Sequence, residues 1–411
     1  MQDDIDAAEK LASNSLEKLQ ELEVLKVEAH QLRTDNASLQ EQVNEERKLR
    51  KQYYNKIEDM KGKIRVYCRV RPLSGSEKAR DCVSVVHSPD EFTMEIRDGQ
   101  KAEDFQFDAV FMPGTAQELV YEDTGNLIQS AVDGYNVCIF AYGQTGSGKT
   151  YTMIGDSGMT SPGLAPRAFE DIFDLVDANS AKFKFEVSCY MIELYCDRLR
   201  DLFGSPKQPA ELKVKLDKQR MVYVEGSQVR QAATAQELYK LFEEGNRSRM
   251  VAKTNMNAES SRSHLVIGII IRSTSLTDGK VTSGKLSLVD LAGSERAGKT
   301  GAEGQQIIEA KSINKSLSAL GNVITALSTK AKHVPYRDNI LTQLMQDSLG
   351  GNAKTLMFVN VSPADYNTEE TLNSLRYAKR VKTITNDAKK NAESEEIARL
   401  KGIIAKYVWP A

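Results

Sequence analysis

The chain has no apolar run near the roughly 18 residues that a membrane-spanning helix needs, and no signal peptide is evident in its 411 residues. Cysteine is sparse: Cys68, Cys82, Cys138, Cys189 and Cys196 include no C-x-x-C pair. Most of them lie inside apolar strand-like runs, which points to buried thiols in a reducing cytosol rather than disulfides or a metal site. Excess charge is lacking too, because 55 Lys and Arg against 57 Asp and Glu leave a formal net charge of -2. That balance speaks against wholesale nucleic-acid binding, so contact with any acidic polymer must use a local patch. No internal repeat and no low-complexity linker is visible.

The first 60 residues lack proline and glycine altogether and are rich in Leu, Glu, Lys and Gln. Leu22, Ala29, Asn36, Val43 and Ile57 fall at heptad position a, and Leu11, Leu25, Leu32, Leu39, Tyr53 and Met60 at position d. This is the seam of a coiled coil. Lys18, Glu46 and Arg50 interrupt it, so pairing is expected to be strongest around residues 22–43. Asn36 at an a position favours a dimer, since two facing asparagines pair across the seam and penalise other registers. A single amphipathic helix docked on its own domain would use the same positions.

Beyond this segment the patterns alternate between strands and helices, as in an α/β domain with a central sheet. Lys63–Arg69 reads as an alternating strand, Phe183–Tyr195 as a long one, and Leu265–Ser273 and Thr355–Val361 as short ones. Helical spacing covers Glu118–Ser130, Pro166–Ala178, Ala235–Arg247, Gln305–Leu327 and Thr368–Thr383, with turns at Pro206 to Pro209 and Leu276 to Gly279.

Gly143-Gln144-Thr145-Gly146-Ser147-Gly148-Lys149-Thr150 fits G-x-x-x-x-G-K-[ST] and follows the apolar run 137–141. A strand that delivers such a turn lets backbone N–H groups wrap phosphate oxygens, while Lys149 reaches the β/γ-phosphates and Thr150 offers a hydroxyl to Mg²⁺. A nucleoside triphosphate is therefore the expected ligand. The run from Asn257 to His264 sets short hydroxyls around Arg262, chemistry suited to a loop that closes over phosphate and metal. Asp290-Leu291-Ala292-Gly293-Ser294-Glu295 follows the strand-like run 285–289, placing Asp290 where a carboxylate would hold Mg²⁺ through water. Gly293 then lets a backbone N–H approach the γ-phosphate.

These three elements, in this order, resemble the kinesin motor domain, with its NxxSSRSH and DLAGSE switches. The resemblance covers about Gly62 to Asn386 and includes Cys68-Arg69-Val70-Arg71-Pro72, Tyr151-Thr152-Met153, Ile313-Asn314-Lys315-Ser316-Leu317 and His333-Val334-Pro335-Tyr336-Arg337. It implies an α/β fold of the P-loop NTPase type, a central mostly parallel or mixed sheet flanked by helices, preceded by the α-helical coiled coil. It implies a stalk over residues 1–61, a motor over 62–386 and a regulatory segment over 387–411. ATP or ADP with Mg²⁺ is the implied ligand set, and the cytoplasm and cytoskeleton, including the spindle, the implied location.

The resemblance also assigns roles. Thr150 and Ser261 become direct or near ligands of Mg²⁺, with Asp290 holding its water. Asn257 and Ser260 orient the lytic water, Gly293 senses the γ-phosphate, and Arg262 pairs with Glu295 when the switches close. Glu295 then receives the proton through a second water. Arg69 and Pro72 would flank adenine, with the ring of Tyr151 on the other face; Arg71, Gln144, Thr145, Gly146, Ser147 and Gly148 complete the nucleotide contacts. Microtubule contacts fall on Lys299, Lys311, Lys315, His333, Tyr336 and Arg337.

Two departures from the family pattern stand out. Ile340 replaces an expected lysine and Asp338 adds an acid, which implies a weaker tubulin contact there. Ala258 stands where most relatives carry glutamate, so coupling of switch closure to the track would differ. A coiled coil that precedes the motor resembles the C-terminal-motor kinesins, which move toward minus ends, and among them the calmodulin-binding plant and algal members. In the tail, Ile397, Leu400, Ile404 and Tyr407 or Val408 share a helical face with Arg399, Lys401 and Lys406 around it. By resemblance it leads into a calmodulin-binding helix beyond residue 411. No nucleic-acid or membrane partner is expected. A nonmotile scaffold with structural nucleotide, or a GTPase-type switch, are the alternative classes.

Overall fold

The structure is a computed structural model that describes Lys18 and residues 21–42, 62–98, 101–156, 160–205, 210–256, 260–295 and 305–390. Leu11, Val43, Glu46, Arg50, Tyr53, Ile57, Met60, the Pro206 to Pro209 turn, Asn257, Ala258, Lys299 and the tail from 391 lie outside the described residues. The chain divides into two compact units, Met1–Lys61 and Gly62–Ala411.

In the first unit, helix α1 spans residues 21–42, and every one of those residues is exposed. Leu22, Leu25, Leu32 and Leu39 are 49%, 62%, 69% and 59% exposed, so the helix leaves its own apolar seam bare.

The second unit is built on strands β1 (Arg65–Val70), β2 (Val86–His87), β3 (Thr93–Asp98), β4 (Lys101–Gln106), β5 (Ala109–Phe111), β6 (Asn136–Tyr142), β7 (Phe183–Tyr195), β8 (Arg198–Asp201), β9 (Lys213–Leu216), β10 (Val222–Glu225), β11 (Arg230–Ala232), β12 (His264–Ser275), β13 (Val281–Asp290) and β14 (Ala353–Val361). Its helices are α2 (Gly75–Lys78), α3 (Gln117–Glu122), α4 (Gly125–Val132), α5 (Lys149–Met153), α6 (Leu164–Ala178), α7 (Ala235–Met256), α8 (Gln305–Ser328), α9 (Ile340–Leu344) and α10 (Thr368–Val381).

The main sheet runs β11-β7-β12-β13-β6-β14-β1-β5, with β8 paired to β7. It is mixed. The pairs β13·β6, β6·β14, β14·β1 and β1·β5 are parallel, whereas β12 runs antiparallel to both β13 and β7. Side chains alternate between two buried clusters: Cys138 and Phe140 join one with residues of α8, α9 and α10, and Val137, Ile139 and Ala141 join the other with residues of α4, α6 and α7. Because both faces are covered, the central strands read as near-continuous apolar runs.

The same cover corrects the reading of the first strand. β1 does alternate, but both faces are buried, so Arg65 and Arg69 are enclosed rather than solvent-facing. The expected single helix over 118–130 is two helices, because the Thr124 hydroxyl turns back to the Tyr121 carbonyl (2.6 Å) just before Gly125. Helix α7 runs on to Met256, beyond the expected Arg247, and β12 and β14 are each longer than expected. Two small sheets, β2-β3-β4 and β9-β10, have no counterpart in the sequence reading.

The β9-β10 hairpin is anchored by a buried ion pair. Lys285 Nζ donates to Asp347 Oδ2 (2.6 Å) and to the Val222 carbonyl (2.9 Å), and Val222 N–H donates back to Asp347 Oδ2 (2.8 Å). The two side chains are 7% and 1% exposed. Removing one partner strands a buried charge, which costs roughly 3–5 kcal/mol. Lys285→Met is expected to lose that much in urea unfolding and Lys285→Met with Asp347→Leu to recover part of it; a single-variant cost under about 1 kcal/mol would refute the anchoring role.

Candidate active site

Strand β6 ends at Tyr142 and releases the loop 143–148 into α5. Gly143, Gly146 and Gly148 take φ of 151°, 72° and 98°, the region side chains avoid. At Gly143 a Cβ would also lie 2.1 Å from the Asn360 carbonyl oxygen. The loop therefore needs glycine for both conformation and space. Lys149 is buried, and its Nζ donates to the carbonyls of Gly143 (2.8 Å) and Gln144 (2.9 Å). Burial lowers its pKa, opposed by the charges of Asp290 and Glu295.

Asp290, the last residue of β13, pairs in parallel register with Ala141. Its Oδ2 accepts the Thr150 hydroxyl at 2.8 Å. Its Oδ1 is buried with no hydrogen-bond partner, and so are Ser147 Oγ and Gln144 Oε1. A buried carboxylate oxygen left over beside a hydroxyl suits a hydrated divalent cation, so Thr150 and Asp290 fit the Mg²⁺ role assigned to them. Ser261 lies in the 3-10 turn Ser260–Arg262, and its carbonyl accepts the Gly293 N–H at 2.9 Å. The amide expected to sense a γ-phosphate is thus bonded to the other switch, and a Cβ at Gly293 would press on the Thr145 hydroxyl and the Glu295 carboxylate.

The expected Arg262–Glu295 pair is not formed. Glu295 accepts from the Thr145 backbone N–H (2.7 Å) and hydroxyl (2.5 Å). Arg262 donates instead to Glu309 Oε2 of α8 at 2.7 Å. Each member of the pair is held by a closer partner, one on the phosphate loop and one on α8.

The base side of the site is a cavity of about 440 Å³ bordered by Arg71, Pro72, Thr115, Gly148, Tyr151 and Ser161. Arg69 lines it from the buried side: its Nη1 donates to Gln117 Oε1 (2.7 Å) and Thr152 Oγ1 (3.1 Å), and its guanidinium lies 5.1 Å from the Tyr151 ring centroid. Arg71 is a brace. Its Nε donates to the Gly146 carbonyl (2.6 Å), while its fork grips both Glu77 oxygens at 2.6 Å. Glu77, held well below the usual carboxylate range by Arg71, also closes a capping box with Ser74 on α2. The sequence reading missed Glu77, although Ser74-x-x-Glu77 is the spacing of such a box. It also missed Asn360, whose Nδ2 donates to Thr152 Oγ1 at 2.8 Å; no local pattern marks it.

His264 connects the two switches to α8. Its Nδ1 accepts the Ala292 N–H (3.0 Å), which puts the ring proton on Nε2, donated to Ser316 Oγ (2.9 Å). Arg249 of α7 holds the preceding residue, donating to Ser263 O (3.2 Å) and to Glu193 Oε1 (3.2 Å).

On the candidate track-binding face, Lys311, Lys315, His333 and Arg337 are exposed. Lys315 also pairs with Asp197 at 3.0 Å. Tyr336 differs from expectation, because its hydroxyl turns inward to the Leu349 carbonyl (2.5 Å). Ile340 differs as well. It opens α9 and packs against the core, so its side chain is not a missing surface cation.

A glycine loop between a parallel strand and a helix, with a carboxylate at the tip of the adjacent strand, defines an α/β nucleotide-binding protein of the phosphate-loop class. The kinesin motor domain model matches residues 69–384, and the chain belongs to that family. It is 52% identical over 386 residues to Kinesin-like protein KIN-14E of Arabidopsis thaliana, covering 93% of this chain and 30% of that protein. It is 52% identical over 389 residues to Kinesin-like protein KIN-14I of Oryza sativa subsp. japonica, covering 94% of this chain and 31% of that protein. The chain thus spans under a third of either relative. A solved structure described as that of a fast kinesin, with implications for ATPase mechanism and interactions with microtubules, superimposes with a TM-score of 0.76 at 42% identity, over 81% of this chain and 95% of that one. Kinesin motor domains are microtubule-stimulated ATPases, and this chain carries that domain.

Lys149→Ala is expected to abolish ATP and ADP binding in calorimetry, since the buried ammonium has no substitute in the loop; near-normal affinity would remove the phosphate-loop assignment. A second expectation concerns acid. Burial first, then Arg249 and Lys149, push the His264 pKa from 6.5 down to about 3. The unfolded chain binds a proton that the folded ring refuses, so this stability is intact above pH 6.5 and lost as pH falls toward 3. From about pH 7.5 to about pH 5 the loss is about 2 kcal/mol, and it should be absent in His264→Asn. Equal acid sensitivity of variant and wild type in urea unfolding would exclude His264 as the source.

Proposed function

We propose that this chain is an ATP hydrolase stimulated by microtubules, using turnover to move toward their minus ends. The observation that carries the reading is the juxtaposition of Thr150, the orphaned oxygen of Asp290 and the buried Lys149 at the mouth of the parallel strands. Phosphoryl transfer needs positioning and charge neutralisation more than covalent chemistry. Lys149 supplies the fixed positive charge, Thr150 and Ser261 the hydroxyls near the metal, and Asp290 the carboxylate for metal-bound water. When bound there, Mg²⁺ would supply charge neutralisation at the phosphates.

The remaining residues act on water and on closure. Asn257 and Ser260 orient the lytic water, and Glu295 takes its proton through a second water once it leaves Thr145. Arg69, Pro72 and Tyr151 shape the base end of the cavity, where stacking favours a purine. The track face is the exposed set Lys311, Lys315, His333 and Arg337, joined by Lys299.

The assembly reading is a parallel dimer. The bare Leu22, Leu25, Leu32 and Leu39 seam with Asn36 supports it. Residues 1–61 then serve as stalk and neck, 62–386 as motor, and 387–411 as a segment open to a calmodulin-type Ca²⁺ sensor. Cytoplasmic microtubules, the spindle among them, are the expected location.

Microtubule-stimulated ATP turnover is the deciding measurement. Track binding without stimulated turnover would support a nonmotile scaffold instead, and a preference for GTP a switch protein. Surface-attached dimers should glide microtubules plus-end leading, and gliding with the minus end leading would refute the polarity. Charged residues at Leu25 and Leu32 should yield monomers with near-normal basal turnover; a monomeric wild type at micromolar concentration would sink the dimer while sparing the ATPase.

A further inference from the structure

Arg262 and Glu295 must meet if the closed switches are to organise the lytic water, yet neither is available as the site stands. Glu295 lies on the Thr145 amide and hydroxyl. Arg262 lies on Glu309, the fifth residue of α8. These two attachments differ in kind. The Thr145 N–H belongs to the loop that receives phosphate, so an incoming nucleotide competes with Glu295 directly. Nothing about nucleotide binding competes with Glu309, whose side chain is 1% exposed against 23% for Arg262.

Glu309 is itself held in place. Its Oε1 accepts the Tyr195 hydroxyl at 2.7 Å, leaving Oε2 for Arg262. Tyr195 ends β7, whose Leu194 pairs with His264 at the start of β12, so the tyrosine is carried by the same end of the sheet that carries the first switch. The carboxylate is on the helix whose outer side bears Lys311 and Lys315, both exposed. A shift of α8 relative to the sheet therefore loads the Glu309 bonds to Tyr195 and Arg262 along with the His264–Ser316 bond, because all of these join the helix to the elements across from it.

Resting on the motor reading above, we infer that Glu309, oriented by Tyr195, is a positioning residue that keeps Arg262 from Glu295 until α8 moves. It acts only through Arg262 and touches no reacting atom. Two carboxylates then compete for one guanidinium, and the one on the track-facing helix holds it while no track is bound. The exchange replaces one charge-assisted hydrogen bond by another but leaves the enclosed Glu309 with Tyr195 alone, so it runs toward Glu295 only when a displacement of the helix weakens the Glu309 contact.

The test is ATP turnover of the intact chain without and with microtubules, with calorimetric ATP affinity as the check on folding. Glu309→Gln keeps the shape and loses the charge. Its basal turnover should rise about fivefold to tenfold, the difference between a charge-assisted and a neutral hydrogen bond, while the stimulated kcat stays within about twofold, so the stimulation ratio falls. Tyr195→Phe should move the ratio the same way by a smaller factor. A merely structural role would lower both rates together. An unchanged or lower basal rate in Glu309→Gln that binds ATP normally overturns the inference, and if that variant does not fold, an unmoved ratio in Tyr195→Phe overturns it. A wild type without stimulation removes the motor reading and this inference with it; a stimulated wild type beside unmoved variants overturns the inference alone.

Discussion

The parallel register of β6 and β13 is the constraint on which the site depends. It sets Asp290 opposite Ala141, two residues before the glycine loop begins, so carboxylate and loop leave the sheet at the same level. Thr150 then reaches Asp290 across the first turn of α5. A slip of one residue would turn Asp290 to the other face and bury its charge among helix side chains. The apolar content of both strands, covered on each face, fixes that register far more firmly than the polar contacts could.

From this fixed point the switches are attached by bonds that can be exchanged. Gly293 N–H to Ser261 O and Ser294 N–H to Gly143 O join backbone to backbone. His264, neutral and fully enclosed, receives Ala292 N–H and donates to Ser316, linking the sheet tip to the middle of α8. Arg249 with Glu193 holds the neighbouring Ser263 rigid. The rigid part of the first switch thus lies at its strand end, and the exchangeable part at Arg262.

Much of the site was legible because its chemistry is local. The loop 143–150 announces itself by glycine spacing and a following lysine, and Asp290 by its place at the end of an apolar run. What escaped was set by tertiary structure. Arg71 borders the base cavity, but no local pattern shows that Glu77 and the Gly146 carbonyl hold its guanidinium. Tyr336 and Ile340 read as surface positions because the motif around them is a track-binding one, yet one hydroxyl turns to Leu349 and the other side chain packs inward. Glu309 carries no local signal at all, being one acid on a long helix. In the fold, strands whose residues are apolar on both sides read well, and the small sheets β2-β3-β4 and β9-β10, half-polar and short, did not.

The arrangement separates two demands that oppose each other in a stimulated enzyme. Binding needs a preformed loop backbone, and the positive-φ glycines and the Arg71–Glu77 brace provide it, with the buried lysine beside it. The Arg262–Glu295 pair proposed for hydrolysis must not form too early. Keeping Arg262 and Glu295 on separate, well-bonded partners stores them in low-energy states, so catalytic groups are present but uncoupled. The cost of coupling is then the loss at the enclosed Glu309, left to Tyr195 alone, less the gain at Glu295. A difference of that size lies within reach of contacts made on the surface of α8, and it makes stimulation by a polymer physically economical in a fold whose core does not have to change.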